Sequence, residues 1–316
     1  MSSTPRLGLR LHGGLDARRC VELATAAEHH GFSSVWFAEN PMERGVMAAL
    51  AGCALATRTI ELGVGVWNPY LRHPAQIAME IGAFDELSGG RAALGIGSGL
   101  AAPIRKLGID NSRPIGALRD TFAIVRGLLG GGNVTHKGSV FSVEDVKLSY
   151  KPLRADLPLL MAARGERALA MCGRIADGLM ISNMCPPGFA AYAKQAAGAK
   201  RVVQYVPCAV GPDRAQAIAT IKPVLAGMLR TFWGLAQKVP AAHTSLIAYS
   251  GIPEADFATP DPDKRFVEAF AVTGDADDIR RGLAAYGAAG VTDLVLTFVG
   301  SDPLADMAYL LRASRA

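Results

Sequence analysis

Residues 84–99 read Phe84-Asp85-Glu86-Leu87-Ser88-Gly89-Gly90-Arg91-Ala92-Ala93-Leu94-Gly95-Ile96-Gly97-Ser98-Gly99. A helix ends in a Ser-Gly-Gly turn, whose glycines supply the positive φ that other residues avoid. From Arg91 to Ile96 the chain is apolar after its first residue and too short for a stable helix, as expected of a strand covered on both faces. Gly97, Ser98 and Gly99 then leave bare backbone where a parallel strand ends, the place at which such sheets bind ligands. A flat, bulky ligand has room to approach there.

The same rhythm extends in both directions. Upstream, strands are expected over 7–11, 33–38 and 60–66, with helices capped by Asp16, running over 44–56, and opening at His73-Pro74. Downstream, helices are expected near 101–107 and 115–129. Four βα units in about 130 residues predict parallel pairing with right-handed crossovers. Residues 133–150 interrupt the alternation, and Gly138 among Val140, Phe141, Val143 and Val146 predicts a hairpin. Strands over 157–162, 179–182 and 201–210 restore it. Residues 212–272 read as helical or irregular, punctuated by Pro223, Pro240, Pro253, Pro260 and Pro262. That is too long for a plain connection, so an insertion lying over the site is expected. Gly274-Asp275 opens a helix, 291–298 is the last strand, and Asp302-Pro303 starts the final helix. The count is eight strands. The fold class is α/β: one (β/α)8 TIM barrel over 1–316, with insertions at about 133–150 and 212–272. A doubly wound open sheet is the alternative.

Composition narrows the function. Half of the 316 residues are apolar, enough for a sizeable core. Five cysteines without a CxxC pair fit a reducing, cytoplasmic setting better than disulfides or structural zinc. The start, Met1 to Arg6, carries no signal-like apolar run, and no apolar stretch approaches the roughly 18 residues of a membrane span. The net charge of +5 is spread singly along the chain, so no nucleic-acid partner is expected. The histidines lack paired spacing, which argues against a metal. Gly95 to Gly99 is not GxGxxG, because position 100 is Leu, and Ser98 lacks the GxSxG setting of a hydrolase nucleophile.

The strongest anion site runs from Leu159 to Arg167, where a strand, small residues, Arg164 and Gly165 lead into a helix. The first amides of that helix have no internal partner and favour a phosphate, to which Arg164 or Arg167 adds charge. An ordinary βα corner with solvated arginines is the competing reading. Ser182-Asn183, Asn68, Tyr70 and His12 stand at neighbouring strand ends, His12 competing with the reading of a hydrogen-bonded rim histidine.

The segment 84–99, together with Val64-Gly65-Val66-Trp67-Asn68-Pro69-Tyr70 and Arg72-His73-Pro74, resembles the bacterial luciferase-like superfamily, most of all its methylenetetrahydromethanopterin-reductase branch. The resemblance implies a flavin-type cofactor, F420 or FMN. Its phosphate would rest on Ala162, Ala163, Arg164, Gly165 and Glu166, and its tail near Ser182 and Asn183. It also implies a bulge with a non-prolyl cis bond at Gly65-Val66 backing the ring, with Asn68, Ser98 and Gly99 beside it. Dehydrogenases of the family place Asp-His where this chain has Glu39-Asn40, and a carboxylate where it has Leu100. Asn40 cannot accept a proton, so alcohol dehydrogenation is not expected. Glu39 is left as the carboxylate to tune a proton, with His12 and Tyr70 toward the substrate.

The implied function is hydride transfer between F420, or FMN, and a small organic substrate. An FMN monooxygenase using O2 and a non-catalytic flavin-binding barrel are the alternatives. A small-molecule substrate, a separate flavin or F420 reductase, and a homodimer are the partners this reading implies.

Overall fold

The computed structural model describes residues 4–258 and 261–315, so Pro260 and the first three residues of the leader reading lie outside it. Eleven strands follow in order: β1 (Arg6–His12), β2 (Ser34–Ala38), β3 (Glu61–Trp67), β4 (Ala92–Ile96), β5 (Val134–Lys137), β6 (Ser142–Val146), β7 (Leu159–Ala162), β8 (Gly178–Ile181), β9 (Val202–Val210), β10 (Val272–Gly274) and β11 (Asp293–Phe298). The parallel series β11-β1-β2-β3-β4-β7-β8 is closed by β9, which pairs with both β8 and β11. This is the expected eight-stranded barrel with surrounding helices. The antiparallel pair β5–β6 is the expected hairpin. The short β10, paired to the last three residues of β9, was not expected.

Alternation along β1 shows how the layers form. Leu7, Leu9 and Leu11 join the large core between sheet and helices. Gly8, Arg10 and His12 occupy the alternate positions, which face the barrel interior. That interior is filled by Trp36, Ala93, Leu160, Met180, Tyr205 and Val295. Trp36 lies so close to β3 that a Cβ on Gly63 would meet its ring at 2.3 Å.

The segment that decides the fold has two separate tasks. Its first half is scaffolding at the N-terminal end of the barrel. Buried Asp85 receives the Arg154 guanidinium and the Ala92 amide. Arg91 binds oxygens of Ala54, Thr57, Ile60 and Ser88. Its second half, 97–99, reaches the opposite end.

The insertion has a core of its own, with Ile221, Leu225, Leu229, Leu246, Phe257 and Phe266 buried together. Pro223 does not punctuate it. The helix Arg214–Ala236 runs through that residue. Pro223 and Ala219 are both exposed, so water can satisfy the carbonyl that the missing N–H leaves free. No helix among the described residues is long and apolar enough to cross a membrane.

Candidate active site

Parallel strands end on one side of a barrel, and every residue singled out above stands there. His12 ends β1; Glu39 and Asn40 follow β2; Gly65 and Val66 lie near the end of β3, with Asn68 and Tyr70 just beyond. Ser98 and Gly99 follow β4, residues 162–166 lead out of β7, and Ser182 and Asn183 follow β8.

The centre of this mouth is an apolar wall. On β3 the register against β4 runs from Gly65–Gly95 to Trp67–Ile96, so Val66 is an extra, bulged residue. The Gly65-Val66 peptide bond is cis. The Tyr205 hydroxyl crosses the barrel to donate to the Gly65 carbonyl at 2.8 Å. A Cβ on Gly97 would meet both Val66 Cγ2 and Ala162 Cβ at 2.9 Å. Val66, Gly97 and Ala162 therefore form one surface across β3, β4 and β7, and Val66, Ser98 and Ala162 are only partly buried. Gly99 continues it with φ +61°, bare of a side chain. A planar ring fits such a surface. The helix Glu166–Ile175 begins nearby at Gly165 with no side-chain cap, leaving its first amides for a ligand.

Several polar residues have tasks other than those expected. Glu39 is not a free carboxylate, because the Arg72 guanidinium holds both of its oxygens and also binds Glu80. Arg72 in turn lies over the Trp67 ring at 4.8 Å. Asn40 is exposed and donates to Glu43 at 3.0 Å. Asn68 is buried and committed to the backbone, donating to the Ser98 carbonyl at 2.8 Å and accepting from the Tyr70 amide at 2.9 Å. It shapes the two loops through one N–H and its carbonyl oxygen. Arg164 binds Ser182 Oγ, the Asn183 carbonyl at 2.9 Å and Ser245 Oγ at 3.0 Å, and lies over Phe232. It ties β7 to β8 and to the insertion, whereas Arg167 is the exposed arginine of the same corner.

His12 accepts from the Gly14 amide at Nδ1, so its neutral ring carries the proton on Nε2. Burial and the nearby Arg10 lower its pKa, against an opposing pull from Glu43. Tyr70 Oη and Asn183 Oδ1 are shielded and have no hydrogen-bond partner among the described residues. Phe141 of the hairpin packs against Tyr70 and His73, placing the hairpin beside the mouth.

Two side chains at the mouth were missed by the sequence reading, Arg10 and Tyr205. A charged residue between leucines in a short buried strand was the signal available for Arg10. Tyr205 sits in a nine-residue strand buried throughout, and only its contact with Gly65 reveals a task.

The profile of the family described as luciferase-like monooxygenase matches residues 1–293. The chain is 31% identical over 290 residues to a 5,10-methylenetetrahydromethanopterin reductase of Archaeoglobus fulgidus, covering 85% of this chain and 86% of that one. It is 34% identical over 218 residues to the enzyme of that name from Methanolobus tindarius, the match spanning 66% of each. Among solved structures, the coenzyme F420-dependent tetrahydromethanopterin reductase of Methanopyrus kandleri superposes with a TM-score of 0.82 at 24% identity, covering 98% of both chains.

Proposed function

The chain belongs to the luciferase-like monooxygenase family, and from that premise we propose that it moves a hydride between coenzyme F420 and a small organic substrate. The observation that carries the reading is the open wall of Val66, Gly97 and Ala162 beside the uncapped helix at Gly165. One surface suits a planar ring, and the other suits its phosphate. The similarity to proteins named for coenzyme F420, an oxidoreductase of Mycobacterium tuberculosis 29% identical over 98% of this chain among them, favours F420 over FMN. When bound, the cofactor supplies hydride donation and acceptance at its ring.

The chain's own residues position and exclude. Val66, Ser98, Gly99 and Ala162 bound the ring, and the uncapped first amides of the helix Glu166–Ile175 receive the phosphate. Arg164 holds the insertion against the mouth and so keeps water from the ring. With Glu39 held by Arg72 and no basic atom on Asn40, neither residue abstracts a proton. His12 Nε2–H is a donor available on the β1 side. The same proposal includes a homodimer, which light scattering of the purified protein would read.

An FMN monooxygenase is the second reading, favoured by the description of the family. Fluorescence titration with F420 and, separately, FMN decides between them. F420 binding much tighter than FMN binding supports the reductase, and the reverse order supports the monooxygenase. Binding of neither by folded protein overturns both.

A further inference from the structure

We propose that Arg10 is the receptor for a carboxylate on the substrate, which deepens the function proposed above and rests on it. Among the described residues, the other partly buried arginines are matched by oxygen, and the arginines without a partner are exposed to water. Arg72 meets Glu39 and Glu80, Arg154 meets Asp85, and Arg201 meets Glu61 and Asp293. Arg10 has no such match. Among the described residues no carboxylate lies within 4.0 Å of its guanidinium. Its hydrogen bonding is limited to one contact of 3.4 Å from Nη1 to Thr297 Oγ1. Nε is shut off from solvent and has no partner among the described residues. A cation so placed is costly unless an anion joins it.

The position of Arg10 says which anion. It lies on the inward face of β1, between Gly8 and His12. Its guanidinium is 5.2 Å from the centroid of the Tyr205 ring, the same ring whose hydroxyl supports the Gly65 carbonyl. The ring-binding wall runs over β3, β4 and β7, whereas Arg10 and Thr297 stand on the neighbouring strands β1 and β11. Arg10 thus faces the half of the mouth left to the substrate. The residue is only partly buried, so part of the side chain remains within reach of a ligand. A planar guanidinium with free N–H groups pairs best with a planar, two-oxygen anion. His12 Nε2–H, one alternate position nearer the mouth, supplies a second donor to the same substrate.

The test is a calorimetric titration of benzoate and its neutral isostere benzamide into the wild type, Arg10→Gln and Arg10→Lys, each cofactor-free and loaded with F420. The expected result is benzoate binding at least about ten-fold tighter than benzamide in the wild type. The preference should vanish in Arg10→Gln and shrink in Arg10→Lys, while the F420 Kd of Arg10→Gln stays within about three-fold of wild type. Ligand-free Arg10→Met should melt higher than wild type, because an unmatched charge is gone. A purely structural arginine would give a lower melting temperature, and that result would overturn the proposal. So would equal binding of acid and amide by the wild type, a preference that survives in Arg10→Gln, or an Arg10→Gln defect confined to F420. Failure to bind F420 or FMN counts against the function proposed above, and the cofactor-free titration then decides Arg10 alone.

Discussion

Both oxygens of Glu39 are held by one guanidinium, and its side chain is only 9% exposed. Removing the charge leaves Arg72 with Glu80 alone in a largely buried setting. Glu39→Gln should therefore destabilise the protein by about 3 kcal/mol in urea unfolding. The pH profile of turnover should keep its shape, since this carboxylate handles no proton. A lost acidic or basic limb would restore Glu39 as a base. Gly65 is constrained by space: an added Cβ would meet Tyr205 Oη at 2.2 Å and Met180 Cε at 2.3 Å. Gly65→Ala should cost about 1–3 kcal/mol of stability through overpacking and weaken cofactor binding along with it. Stability within error of wild type would show that the barrel interior yields more easily than its contacts imply. At this scale the sequence was least legible. Glu39 and Asn68 are of the right type and at the right strand ends, yet partners distant in the chain decide what they do.

Two carboxylates hold elements in place. Glu28, near the end of the helix Ala17–His30, accepts from the amides of Arg58, Thr59 and Ile60 and from the Thr59 hydroxyl, so it seats the start of β3. Burial pushes its pKa up, but these donors outweigh that and hold it at about 2, below the ordinary 4.5. The folded state then binds fewer protons than the unfolded state between those values. Its contribution is present above about pH 4.5 and is lost as pH falls toward about 2. Glu28→Gln should flatten the acid limb of the stability curve in that window, as followed by urea midpoints against pH. Asp120 is fully buried in the helix Pro114–Leu129 and accepts from the amides of Val140 and Phe141, at 2.8 and 3.3 Å. Burial opposes its ionisation, yet these amides and the His136 contact hold its pKa below the ordinary range. Asp120→Ala leaves those amides unpaired at a cost of about 1–3 kcal/mol. Hydrogen exchange should speed up in residues 134–146 while the barrel strands stay protected. Uniform loss of protection would mean that the hairpin is integral to the barrel.

At the scale of the whole molecule, Arg164 ties the barrel mouth to the insertion through Asn183 and Ser245. Arg164→Ala should expose 212–272 to limited proteolysis and leave the thermal transition of the barrel nearly unchanged. Resistance equal to wild type would mean that apolar packing alone secures the insertion. The order of elements was legible because local signals repeat: short apolar runs, helices of 3.6-residue period, and glycine or proline at their ends. Those signals act over a few residues, and they are enough to predict eight strands, a hairpin excursion and a covering insertion. They also place the mouth, because parallel strands all finish on one side. What lay beyond them were pairings between residues far apart in sequence. Arg72 with Glu39, Arg164 with Ser245, and Tyr205 with Gly65 are set only when the barrel closes and brings strand ends together. The sequence by itself determined the order of strands and helices and the side on which the strands end. The pairing of β9 with both β8 and β11 decided for a closed barrel over an open sheet. Tertiary structure decided which charges there are matched and which, like Arg10, remain open to a ligand, because matching depends on distance in space and not on spacing along the chain.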